Sequence, residues 1–271
     1  MSLARRNRER ILAAQTITAA VAPSGGAAVA PVAGPSPAAG ATNASPADRA
    51  AAQIALRLTH DLRRLKEIKS IDAKVAAKRE MLPEYRDWVA GIVGADAGVG
   101  TGTAAEVLPT VMVWLIDTGA YADALDLVPF IFRHKVAMPS RYQRDAATIV
   151  MEEVATAALK VQGAGASFPL KILDRVADLT AGLDIHDEVR AKLLKAIGVE
   201  QLTEAEDLPA DDAFHALTAA VSTLNEAQRL HERVGVKDRI KRGLKLMAAI
   251  TAAREKAIAE QNNEQGGDNA A

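Results

Sequence analysis

The chain has 271 residues, no cysteine and a formal net charge of −1. The missing cysteines exclude disulfides and thiolate metal sites, and they suit a reducing, cytoplasmic setting. No apolar run reaches the roughly 18–20 residues needed to span a bilayer, and the basic start leads into no apolar signal core, so no membrane partner is expected.

Aromatic residues make up only 3% of the chain, and alanine is abundant. That balance favours close-packed helices over strands, which draw on aromatic and β-branched residues. The charge is unevenly spread. Residues 1–90 carry 14 Lys/Arg against 8 Asp/Glu, residues 91–235 carry 12 against 21, and residues 236–271 carry 7 against 5. An anionic partner would meet the front of such a chain, although ordinary surface patterning gives a similar profile.

Taken in order, residues 1–20 form a basic N-terminal arm. Its helix, over about 3–20, has Arg5, Arg6, Arg8 and Arg10 crowded near its start. Residues 21–46 are an Ala/Pro/Gly linker with too little apolar surface to offset its ordering entropy, and they are expected to be disordered. A helical body is expected over 47–260. It opens at Ser45-Pro46-Ala47-Asp48, which has an N-cap serine, a first-position proline and an acid in the first turn. A long basic helix is predicted to run on to Met81, because Leu58, Leu62, Leu65, Ile68, Ile71 and Val75 repeat at three- and four-residue steps.

A short helix carrying Trp88 follows, then a glycine-rich connection over 94–103. Helices over about 104–117 and 120–135 flank a turn at Asp117 to Gly119, and the Gly-x-Tyr-x-x-Ala-Leu spacing there is that of stacked hairpins. Met138-Pro139-Ser140 breaks the chain before a helix at about 141–162. Helices at 168–181 and 186–197 stop at Gly182 and Gly198, with Asp184 a candidate cap for the second. The acidic stretch from Glu204 to Asp212 reads as a loop. Two helices, 210–233 and 236–260, join at Gly235, and residues 261–271 form a polar tail expected to be disordered. The fold class is all-α, stacked helical hairpins of tetratricopeptide-like type.

Chemical motifs are sparse. Gly98-Val99-Gly100-Thr101-Gly102 lacks the Gly-Lys-Ser/Thr of a phosphate-binding loop and no strand precedes it, so the chain has no nucleotide-binding motif. The five histidines form no i,i+3 or i,i+4 pair. Metal-dependent nucleases gather two or three carboxylates around Mg²⁺. Glu67-Ile68-Lys69, Asp72-Ala73-Lys74, Asp117, Asp123 and His186-Asp187-Glu188 are candidates, each with a plainer reading as helix capping or charge pairing. No catalytic or metal residue is assigned.

The basic elements say more. On one continuous helix Arg63, Lys66, Ser70, Lys74 and Lys78 fall within an arc of roughly 120°, interrupted by Glu67. Such a face can lie along phosphates and gain affinity by counterion release. The candidate DNA-binding residues are Arg5, Arg6, Arg8, Arg10, Arg63, Lys66, Lys74, Lys78 and Arg79. Lys237, Lys241 and Lys245, with Arg239 and Arg242, make a second basic stripe.

A series of fragments then recurs in order: Lys78-Arg79-Glu80-Met81-Leu82-Pro83, Trp88-Val89 with Gly91, Val111-Met112-Val113-Trp114-Leu115-Ile116-Asp117-Thr118-Gly119, Ala124-Leu125, Met138-Pro139, Glu152-Glu153-Val154-Ala155, Asp187-Glu188-Val189-Arg190-Ala191-Lys192 and Gly235-Val236-Lys237. Over about residues 65–246 the chain resembles the phage small terminase subunit family, of the type of the terminase endonuclease subunit of temperate contractile-tailed phages. The resemblance implies a subunit that binds double-stranded viral DNA and partners a large ATPase subunit. It also implies a part in endonucleolytic cutting for packaging into procapsids, with Mg²⁺ for cleavage and a homo-oligomeric state. It transfers no catalytic residues. The alternative is a non-catalytic helical-repeat scaffold that positions DNA or the ATPase.

Overall fold

A computed structural model describes the backbone of residues 3–21 and 45–268, with side chains over 4–17 and 45–260. Most of the expected linker, and residues 269–271 of the expected tail, lie outside the described residues. All regular structure among the described residues is helical. The chain divides into two compact units, Met1–Ala146 and Ala147–Ala271.

The first unit holds α1 (Leu3–Val21), α2 (Pro46–Glu67), α3 (Ile71–Met81), α4 (Arg86–Ala95), α5 (Val107–Asp117) and α6 (Tyr121–Arg133). Helix α2 starts at a complete capping box. The Ser45 hydroxyl accepts from the Asp48 amide at 3.1 Å and the Asp48 carboxylate accepts from the Ser45 amide at 3.0 Å. The Ser45 hydroxyl also donates to the Asp48 carboxylate at 2.7 Å, and this bond, followed by that from the Ser45 amide, holds the Asp48 carboxyl below its ordinary range.

The predicted long helix is interrupted. Ile68 is extended (φ −75°, ψ 127°), Ser70 caps a new helix by accepting from the Ala73 amide, and α3 begins at Ile71. A capping serine offers the backbone an alternative to the helical ladder, and here that alternative wins. Leu58 and Leu65 are buried, but Ile71 is 77% exposed, so the apolar stripe read across the break does not continue. Arg64 then reaches Glu80 at 2.8 Å, tying α3 to α2.

The core of this unit is aromatic where the chain could supply it. Tyr85 and Trp114 meet edge to face with centroids 5.8 Å apart, backed by Trp88, Ile92, Met112 and Leu125, all buried. The Tyr85 hydroxyl donates to Asp61 at 2.6 Å, and burial holds the phenol far above its usual range. The hairpin turn is a Schellman motif. The Ala120 amide donates to Leu115 O at 2.9 Å, the Gly119 amide to Ile116 O at 3.0 Å, and Gly119 takes φ +82°, which glycine adopts without strain.

The second unit holds α7 (Ala146–Gly163), α8 (Leu170–Leu179), α9 (Asp187–Glu206), α10 (Ala210–Leu230) and α11 (Lys237–Asp268). Five expectations change here, the first being that the acidic stretch from Glu204 to Asp212 is helical on both sides of residues 207–209. Helix α7 starts later than 141. Helix α9 runs straight through Gly198, whose missing Cβ would lie 2.7 Å from Leu224 Cγ on α10. That glycine is a close-packing residue, not a stop. Helix α11 continues to Asp268, past the tail expected from Gln261. His186 occupies the N-cap position of α9 without a side-chain cap bond, in place of Asp184.

Glu200 of α9 is 1% exposed and fully bonded. It accepts from Gln162 Nε2 (2.7 Å), Ser167 Oγ (2.8 Å) and the Phe168 amide (2.9 Å), fixing the α7–α8 loop.

Candidate nucleic-acid interface

Helix α1 packs onto the first unit. Ala13 and Ile17 are buried, and Thr16 Oγ1 donates to Ala47 O at 3.2 Å. The closest approach is at Gly91 of α4, where a Cβ would stand 2.4 Å from Arg10 O and 2.8 Å from Ala13 Cβ. The arginine-rich segment expected as an arm on a linker is therefore a docked helix, and its four arginines divide by face. Arg6 Nε and Arg10 Nη2 approach the Asp87 carboxylate of α4 at 3.9 and 3.6 Å. Arg5 and Arg8 face α2 instead.

Between α1 and α2 lies a groove of about 360 Å³. Arg5 and Arg8 line it from α1, Arg49 and Arg57 from α2, and Leu12 and Ile54 add apolar lining. Glu9 is the acid among the lining residues. Arg57 also holds Glu84, its Nη1 lying 3.0 Å from Oε2 and donating to the Glu84 carbonyl at 3.1 Å. Sequence patterning does not single out Arg49 and Arg57. A signal is present, because Arg49, Gln53 and Arg57 step by four along α2. Knowing that this face looks at α1 requires the docking at Gly91.

The remaining candidates scatter. Arg63 and Lys66 stand exposed near the end of α2, with Lys69 in the turn, while Lys74 on α3 is half-buried. The break at Ile68–Ser70 divides the arc drawn through them between two helices. Lys78 Nζ meets Asp117 Oδ2 at 2.5 Å, both partly shielded (17% and 30% exposed). Arg79 Nη2 donates to Thr118 O at 3.1 Å. Lys78 and Arg79 thus tie α3 to the α5–α6 turn. The exposed residues of α3 are Ile71, Asp72, Ala73, Ala76, Arg79 and Glu80, and with Arg79 bonded to Thr118 O they make a poor surface for phosphates.

The described carboxylates gather no site. Among the described residues, no group of three or more His, Asp or Glu could hold a metal ion. Asp117 is taken by Lys78, Glu67 and Asp72 are exposed, and Asp187 and Glu188 sit in the first turn of α9. Asp96, in a left-handed conformation (φ +48°), pairs with Arg133 and His134. Hydrogen bonds from His134 and Arg133 lower its carboxyl below the usual range. No helix among the described residues is long and apolar enough to cross a membrane.

No solved structure matches the chain. The profile of the phage small terminase subunit family matches residues 55–188. The terminase, endonuclease subunit of Escherichia phage P2 is 36% identical over 190 residues, which cover 70% of this chain and 71% of that relative. That level of identity, over that share of both proteins and alongside the family match, shows that this chain belongs to the phage small terminase subunit family.

Proposed function

We propose that this terminase small subunit binds double-stranded viral DNA through the basic face of its first unit. In this reading it also takes part in the endonucleolytic cutting that prepares the genome for packaging into procapsids. The observation that carries the reading is the arginine-lined surface where α1 docks on the first unit, joined to family membership. Guanidinium groups stay charged at any working pH and present forked donors that match phosphate oxygens. Exposed Arg63 and Lys66 would extend the interface as counterion-releasing charges. Lys78 and Arg79 are left out of the proposed set because each already holds the α5–α6 turn.

The partners in this proposal are the large ATPase subunit and further copies of this chain, in the host cytoplasm. The name of the P2 relative, an endonuclease subunit, supports the nuclease part. Mg²⁺ is the metal such cleavage would use, and among the described residues no group of three or more His, Asp or Glu is placed to hold it.

The same observation favours a second reading, in which the chain is a non-catalytic scaffold that positions DNA or the ATPase. The hairpins around α5–α6 and α9–α10 support a tetratricopeptide-like arrangement suited to that role. A plasmid carrying the phage packaging site, incubated with Mg²⁺ and the purified chain, separates the two. Nicking by the chain alone supports the endonuclease. Binding without nicking supports the scaffold. Neither binding nor nicking, with or without the large subunit, rejects both.

A further inference from the structure

We propose that the α1–α2 groove is a clamp for the phosphodiester backbone of duplex DNA, assembled only while α1 is docked on α4. The proposal rests on the DNA-binding reading above, and it adds a place, two residues and a condition. The family match begins at residue 55, beyond α1 and Arg49, so the clamp is argued from this chain's own geometry.

Charge and shape come first. Four arginines and one glutamate line the groove; Arg57 is paired with Glu84, so the clamp's charge rests chiefly on Arg5, Arg8 and Arg49. Low-dielectric lining concentrates the field of such a cleft, and Leu12 and Ile54 contribute it. Arg49 and Arg57 are eight residues apart on α2, about 12 Å along its axis. That is the axial span of three to four phosphates on one DNA strand at about 3.4 Å each. Arg5 and Arg8 face the same run from α1, so the backbone would be gripped from two sides.

The condition follows from which helix supplies which charge. Half of the groove's arginines belong to α1, and α1 is held by the close approach at Gly91 and by Asp87. If α1 leaves α4, Arg5 and Arg8 leave the groove with it. Asp87 thus has two opposed effects. Its charge repels phosphate, but its pairing with Arg6 and Arg10 turns Arg5 and Arg8 toward α2. Asp87 is a positioning residue in this proposal, and it touches no DNA.

The test measures the salt dependence of full-length protein binding to two duplexes of equal length, one from the packaging region and one unrelated. Arg5→Ala/Arg8→Ala/Arg49→Ala removes the clamp and should flatten the slope of log K against log salt by about 0.9 for each phosphate no longer neutralised. Gly91→Leu should flatten it as well and should expose α1 to trypsin at Arg5–Arg10. Gly94→Leu is the control, because a Cβ there meets nothing within 4 Å. Asp87→Asn gives the sharpest sign. A purely electrostatic role predicts tighter binding, whereas the positioning role predicts weaker binding and faster tryptic cleavage of α1.

An unchanged slope in the triple variant overturns the clamp and leaves DNA binding by this chain standing. Tighter binding by Asp87→Asn overturns the docking condition, and it does so even if the Gly91 variant fails to fold. Absence of DNA binding by the unaltered protein overturns the underlying reading.

Discussion

Each unit contains a helix crossing made close by a glycine, and the two crossings serve different ends. In the second unit, Gly198 of α9 lets Leu224 of α10 pack against bare backbone. Only residues 207–209 separate those helices, so the crossing is a permanent part of a hairpin core. In the first unit, Gly91 of α4 admits the backbone of α1 at Arg10. That helix is distant in the chain and carries four arginines on its surface turns. The charges differ in the same direction. Residues 1–146 carry 18 Lys/Arg against 14 Asp/Glu, and residues 147–271 carry 15 against 20. The same packing device thus builds a core in an acidic unit and positions a basic surface in the other.

This contrast fails first if the second unit is not the rigid one. Glu200→Ala leaves the Gln162, Ser167 and Phe168 donors without their acceptor, and it should cost about 3 kcal/mol of unfolding free energy in a urea titration. A cost near zero would show that the α7–α8 loop is held by other means. Gly198→Leu forces the α9–α10 crossing apart, with an expected destabilisation of about 2 kcal/mol from overpacking. Gly91→Leu should leave the global midpoint close to that of the unaltered protein, because α1 can undock without opening the aromatic core. Amide exchange of α1 should nevertheless rise sharply. Equal global destabilisation by the two glycine substitutions would erase the distinction between the crossings.

A smaller effect is expected at the start of α2, which forms one wall of the groove. Ser45→Ala should cost about 1 kcal/mol through the missing N-cap. Because the Asp48 carboxyl is lowered in the folded chain, its contribution is complete above the unfolded value of about 3.9. It is lost as pH falls through the lower folded value. Protection of the Asp48 and Arg49 amides should therefore drop below about pH 4 in the unaltered protein. In Asp48→Asn it should vary little over the same range.

Sequence signals are reliable in this chain where the structure is local. Ser45-Pro46-Ala47-Asp48 forms the capping box it spells, and Gly119 closes the α5–α6 hairpin at the expected turn. They fail where a competing local cap or a distant residue decides. Leu58 to Val75 keeps a helical period across Ile68–Ser70, so periodicity alone does not show that Ser70 caps a new helix. Gly198 looks like a stop until Leu224 is placed beside it. The division of the arginine cluster into Arg6 and Arg10 on one face and Arg5 and Arg8 on the other depends on Asp87, far along the chain. Lys78 looks like a phosphate ligand because its acid, Asp117, lies across a helix boundary in another part of the sequence. The basic groove is thus readable as charge but not as a place.

DNA should be met by the first unit and not by the lysine stripe of α11, where Lys237, Lys241 and Lys245 are also exposed. Hydrogen exchange of the full chain with and without saturating duplex DNA decides between these surfaces most directly. New protection is expected in peptides covering residues 4–17 and 46–57, with residues 237–250 unchanged. Protection confined to α11, with α1 and the start of α2 exchanging as in the free protein, would contradict DNA binding by the first unit.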